Sequence, residues 1–232
     1  MEPTPSRFAA LARSSPWRWT TLRFDLETRR HERAARVRGW VGRPDRLRVE
    51  DPDGTVLFTG RQPGPPPGSP APGPPVLDAD GFVSTPRVWS QRFPYDAPMW
   101  QDYRWVAMLD PAELADGEDD DGEPRPPVVV DELRPIEHHG RPAWEAVLRT
   151  TPFYDPRCGC CPLLLSADSD ARETAAGAPS IVERVPGLRF ADAHRVRLDV
   201  GTGVCVFTAE IGGDRPGEGH DLRIEEVDGP VP

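Results

Sequence analysis

Lysine and asparagine are missing altogether, so all 28 basic side chains of this 232-residue chain are arginines. Arg, Ala, Gly and Pro codons are all GC-rich, and a coding bias accounts for that one-sidedness. Nowhere does an apolar run approach the roughly 20 residues that a membrane-crossing helix needs, which excludes a transmembrane helix. The N-terminal stretch Met-Glu-Pro-Thr-Pro-Ser-Arg-Phe lacks the apolar core of a secretory signal, so a cytoplasmic location is expected. Four cysteines are too few for a disulfide scaffold, and a reducing compartment favours free thiols, metal or redox chemistry over structural bridges. There is no Ser-His-Asp order and no strand-to-helix glycine loop of the kind that cradles phosphate, since Gly212-Gly213 and Gly217-x-Gly219 stand among acidic and polar residues. No motif points to an enzyme. The net charge of −10 argues against a nucleic-acid partner, although residues 1–50 hold 12 arginines against 6 acids.

What remains is a chain rich in alternation. Leu22, Phe24 and Leu26 alternate with Arg23, Asp25 and Glu27. After a polar turn at His31-Glu32, Ala35, Val37, Gly39 and Val41 alternate with Arg36, Arg38 and Trp40. Leu47 and Val49 follow beyond Arg43-Pro44-Asp45, and 55–59 adds a short strand. This is a meander with one apolar and one polar face. Residues 128–137 and 142–150 read as a hairpin turning at His138-His139-Gly140-Arg141; 195–200 and 204–211 read as a second, and 220–227 as a last strand. Between Tyr95 and Leu114 the period changes: Trp100, Tyr103 and Ala107, with Trp105, Met108 and Leu109, recur at helical spacing. There Asp110, Pro111 and Glu113 have the form of a capping box, so a helical insertion over 100–114 is expected. Three stretches read as irregular: the Pro/Gly-rich loop 60–75, the acidic loop 116–127 and a loose linker 166–189.

The run Trp40-Val41-Gly42-Arg43-Pro44-Asp45-Arg46-Leu47-Arg48-Val49-Glu50 resembles the strand, Arg-Pro, strand signature of the periplasmic lipoprotein-carrier superfamily, the group of LolA, LppX and RseB-like domains. Residues 194–211 resemble that family's late strand pair. The resemblance implies a β-rich α+β fold in which an antiparallel sheet curves into an open half-barrel, with helices over its concave face. It also implies a hydrophobic or lipid-like ligand. The expected architecture is accordingly a single half-barrel-like domain over 1–232, with the 100–114 insertion as its cover.

The densest chemistry lies in Asp-Pro-Arg-Cys-Gly-Cys-Cys-Pro. Cys158, Cys160 and Cys161, joined by Cys205 or by His138 or His139, can make up the four thiolate and imidazole ligands of a zinc site. The C-x-x-C pair also allows a thiol-redox or bridging role, and inert packing of a tight turn is the third reading. His138 and His139 are expected to point to opposite sides of a hairpin tip. Arg36, Arg38, Arg46 and Arg48 are expected to share one face with Trp40, where they either bind an anion or an acidic protein partner or pair with the chain's own acids. For the apolar hollow the candidate lining is Trp40, Trp100, Trp105, Met108 and Leu109. The leading functional expectation is a non-catalytic protein holding a small hydrophobic ligand. A zinc or thiol-redox protein and a structural or partner-docking protein are the alternatives.

Overall fold

The computed structural model describes residues 2–30, 33–62, 74–87 and 98–230. The turn at His31-Glu32, most of the Pro/Gly-rich loop and Trp89 lie outside the described residues. Helix α1 (Pro5–Ser14) starts from Thr4, whose hydroxyl accepts from the Arg7 N–H, with Pro5 in the first turn where its missing N–H costs nothing. Four strands then form a meander: β1 (Thr21–Arg30), β2 (Arg33–Gly42), β3 (Arg46–Glu50) and β4 (Val56–Arg61). A second meander runs through β7 (Val128–His138), β8 (Arg141–Thr150), β9 (Ala193–Asp199), β10 (Cys205–Ile211) and β11 (Gly219–Val227). Between the two lie α2 (Tyr103–Leu109) and a small hairpin of β5 (Gly117–Glu118) and β6 (Pro124–Arg125). Helices α3 (Ala167–Ala175) and α4 (Ile181–Arg184) interrupt the second meander.

Nine strands make one open antiparallel sheet in the order β4-β3-β2-β1-β11-β10-β9-β8-β7, so the first and last long strands meet at its centre. The segment between β4 and β7 must therefore pass from one edge of the sheet to the other, and it carries α2 across. Period-two alternation decides which face it covers. Leu22, Phe24 and Leu26 of β1 are buried while their neighbours are half-exposed; Trp144, Ala146, Val196, Leu198 and Leu222 continue the apolar face. Against it pack Phe8 and Leu11 of α1 and Trp105, Met108 and Leu109 of α2. Each such fully buried side chain contributes roughly 1.5–3 kcal/mol relative to exposure. The β-rich α+β reading with an open antiparallel sheet is what the chain adopts.

Three local expectations are corrected. The insertion is shorter than 100–114. Helix α2 starts after Asp102 and ends at Leu109, and a separate 3-10 turn spans Ala112–Leu114. Asp110 closes α2 instead of opening a second helix, because its carboxylate is bound by arginines from elsewhere in the fold. The acidic loop 116–127 is not wholly solvated. Asp116 is 2% exposed, held by the Arg13 guanidinium and the Arg87 N–H, and β5 pairs with β6 beyond it. The linker 166–189 contains α3 and α4. Ser166 and Ser169 cap α3 reciprocally, a serine standing where the usual capping box has Glu or Gln.

Candidate functional site

A cavity of about 480 Å³ lies between α2 and the apolar face where β1, β2 and β11 run side by side. The register of the sheet builds its floor. Leu26 stands opposite Val37, Thr28 opposite Ala35 on one side and His220 on the other, so five residues from three strands form one patch. Arg104, Trp105 and Met108 of α2 form the roof. Trp105 can lie low over the sheet because position 39 has no side chain. A Cβ there would come within 2.7 Å of Phe24 Cζ and 2.9 Å of Trp105 Cη2.

Trp100, Gln101 and Asp102 form one wall, and their placement is fixed from two directions. The Gln62 side chain accepts from the Met99 N–H at 2.7 Å and donates back to its carbonyl, which ties the stretch to the end of β4; Trp100 meets Phe58 of β4 at 6.0 Å between ring centroids. Gln101 then takes φ +66°, a left-handed conformation costly for a residue with a side chain and one that turns the chain sharply into α2. Asp102 caps the helix by accepting from the Arg104 N–H at 3.0 Å, and its other oxygen accepts from Arg30 at 3.2 Å. His220 is neutral. Its Nε2–H donates to the Cys205 carbonyl at 2.8 Å, Nδ1 accepts from the Thr208 hydroxyl, and burial pushes its pKa down to about 4.

Of the five residues expected in the hollow, Trp100, Trp105 and Met108 line it. Leu109 does not: it is fully buried in the core. Trp40 does not either, because period two puts it on the opposite face, between the guanidinium groups of Arg38 and Arg48 at 6.0 and 5.9 Å. On that polar face Arg36 pairs with Glu27 at 2.6 Å, Arg38 with Asp25 at 3.1 Å and Arg48 with Glu50 at 2.5 Å, while Arg46 is exposed. The chain's own acids thus take up three of the four arginines. Residues that the alternation alone did not single out as lining are Thr28, Arg30, Gln101, Asp102, Arg104 and His220. Period two carries Thr28 and Arg30 onto the face of Leu22, Phe24 and Leu26, and register sets His220 beside Thr28, while the turn into α2 brings Gln101, Asp102 and Arg104, of which Asp102, a capping-type residue ahead of a helical period, carries a sequence signal.

The cysteine loop is a second constellation. Its backbone hangs on Glu113, whose carboxylate accepts from the N–H groups of Arg157 and Leu163. The Cys161 N–H returns to the Cys158 carbonyl at 3.3 Å, and that turn gathers three free thiols within 4.8 Å of one another. Cys158 and Cys160 are 2.8 Å apart and Cys160 and Cys161 3.8 Å. Cys205 is not among them; it is buried on β10, its thiol directed to the Phe207 carbonyl. Burial first and Cys158 second push the Cys161 thiol up, and the hydrogen bond with Cys158, then burial, does the same for Cys160.

His138 and His139 correct another expectation. With His139 at φ +49° the backbone is a turn and not a strand, so both rings fall on one side, 4.4 Å apart, around the Asp221 carboxylate. They are no fourth ligand for the thiols, being grouped with Asp221 instead. Arg197 donates to His138 Nδ1 at 3.1 Å; an arginine can only donate, so His138 carries its proton on Nε2, which faces the Leu222 carbonyl at 3.2 Å. That nitrogen has no lone pair free for a metal.

Comparison of the chain with protein-family models, curated proteins and solved structures gives no match. Among the described residues, no helix is long and apolar enough to cross a membrane.

Proposed function

We propose that this is a non-catalytic binding protein that holds a small hydrophobic ligand in the cavity under α2. The observation that carries the reading is the cavity itself: about 480 Å³, walled by Trp100, Trp105, Met108, Leu26 and Val37, with a few polar groups at fixed positions. Small-molecule sites have this size and make-up, apolar walls supplying affinity and sparse polar groups supplying orientation. A hydrophobic ligand is also what the resemblance to the periplasmic lipoprotein carriers implies. The test is saturable binding of N-phenyl-1-naphthylamine to the full chain, compared with Val37→Trp, which fills the floor. One equivalent bound by the wild type and none by a folded V37W supports the reading. Absence of saturable binding by the wild type removes it.

A second reading rests on a separate observation, the convergence of three thiols in one turn. A redox cysteine works through a lowered pKa, whereas here the surroundings push two of the three thiols up. A thiophilic cation such as zinc reverses that balance, because it stabilises thiolates that otherwise repel one another. Cys158, Cys160 and Cys161 would be the protein ligands. Elemental analysis finding about one zinc per chain, lost with part of the folding stability on chelation, supports this reading. Three freely titrating thiols in a zinc-free chain of undiminished stability exclude it.

A further inference from the structure

The roof of the cavity includes the side chain of Arg104, with no carboxylate paired to it among the described residues. Arg104 Nε and Trp105 Nε1, on consecutive residues of α2, are both buried without a partner, and no carboxylate among the described residues is in ion-pair contact with the Arg104 guanidinium. The other charged groups of the wall, and His220, are already engaged. Arg30 is paired with Asp102, Asp102 also caps the helix, and both nitrogens of His220 are used. Two guanidinium groups face one carboxylate around this space, which leaves it cationic. The Arg104 side chain is half-buried and has no paired counter-charge, and burial followed by repulsion from Arg30 pushes its pKa below its ordinary value.

An unpaired guanidinium in a largely apolar pocket specifies the missing partner by its chemistry. Resting on the reading of the cavity as a ligand site, we propose that the ligand is an amphiphile whose oxyanion head, a carboxylate or a phosphate monoester, is bound by Arg104 while its apolar body lies between Trp100, Met108 and Val37. The guanidinium fork matches either head, since both present two oxygens to parallel N–H groups. A neutral alcohol leaves the positive charge uncompensated, and an ammonium head adds to it.

The test is calorimetric titration of the full chain with decanoate, decyl phosphate and 1-decanol, in the wild type and in Arg104→Met, which keeps the length of the side chain and removes its charge. The expected result is that one or both anions bind at least tenfold more tightly than decanol to the wild type, and that R104M loses this preference. The tighter of the two anions identifies the head. Equal affinity of all three for the wild type, or a preference that survives in R104M, overturns the assignment to Arg104 and leaves the cavity reading standing. Failure of all three to bind overturns both. The wild-type comparison decides the matter even where R104M does not fold.

Discussion

Arg87 grips Asp110 with both prongs of its guanidinium, at 2.9 and 2.6 Å, in a place where the acid is 0% and the arginine 4% exposed. Arg157 adds a third contact to the same carboxylate at 2.9 Å. Because Asp110 also closes α2, the pair fixes the end of the cavity's roof to the segment before it and to the cysteine loop after it. Removing one member of a buried ion pair leaves the other's charge uncompensated. Asp110→Asn should therefore cost about 3–5 kcal/mol, measured as the shift in urea unfolding. A loss below about 1 kcal/mol, the value of a surface pair, would show that the arginines find other partners.

Tyr154 and Glu113 organise the cysteine loop from below. The phenol donates to Glu113 at 2.5 Å and accepts from the Leu164 N–H at 3.0 Å, all inside the core. Tyr154→Phe keeps the ring and removes both bonds, leaving a buried carboxylate short of one donor and a backbone N–H without an acceptor. The expected cost is about 1–3 kcal/mol. Since the loop carries Cys161, which is buried, its alkylation by iodoacetamide should also become faster in this variant. Unchanged stability together with an unchanged alkylation rate would show that the loop is held by its other contacts.

Much of this was legible in the sequence, and what was not has a physical reason. Strands were legible because one wetted face enforces strict alternation, as in Leu22, Phe24 and Leu26 against Arg23, Asp25 and Glu27. The same rule put Trp40 on the face away from the cavity, and reading it as lining set its aromatic character above its register. The helical period over 103–109 was legible, but the role of Asp110 was not, because its partners Arg87 and Arg157 lie 23 and 47 residues away. Arg104 stood in plain view as one more arginine. What distinguishes it is the lack of a partner, a property of three-dimensional packing that no local pattern records. His138 and His139 were misplaced because alternation assumes extended backbone, and His139 is left-handed.

Acid should destabilise the protein in a defined window. Burial pushes His194 and His220 down to about 4, so between that pH and an unfolded value of about 6.5 the unfolded chain binds two protons that the folded one does not. Glu210 acts in the opposite direction. Burial, then Glu218, pushes it up to about 7, so the folded chain keeps one proton that the unfolded chain has released. One proton net is taken up on unfolding, and stability should rise with pH by about 1.4 kcal/mol per unit between roughly pH 5 and 6. His220→Gln should flatten that slope and Glu210→Gln should steepen it, both read from urea midpoints across the window. A slope of opposite sign in the wild type would contradict the burial of the two histidines. Asp110 contributes outside this range. Despite its burial, Arg87 and Arg157 hold its carboxyl below the usual value, so its contribution is intact above about pH 4 and lost as pH falls further.

The shape of the cavity roof depends on a missing side chain. Gly39 sits on β2 under the edge of Phe24 and Trp105, whose rings meet at 5.2 Å, and both are nearly or fully buried, so neither can swing away into solvent. Gly39→Ala places a methyl at 2.7 Å from the first and 2.9 Å from the second, well inside van der Waals contact. Trp105 must then lift from the sheet, at an expected cost of about 1–3 kcal/mol, and the cavity it roofs changes shape with it. Weaker binding of N-phenyl-1-naphthylamine should accompany the lost stability. Gly60→Ala on β4 is the control, since its methyl would meet Phe58 no closer than 3.6 Å, an ordinary contact. If G39A and G60A behave alike, Trp105 is not confined by the floor of the sheet, and the cavity's dimensions are not set by the glycine.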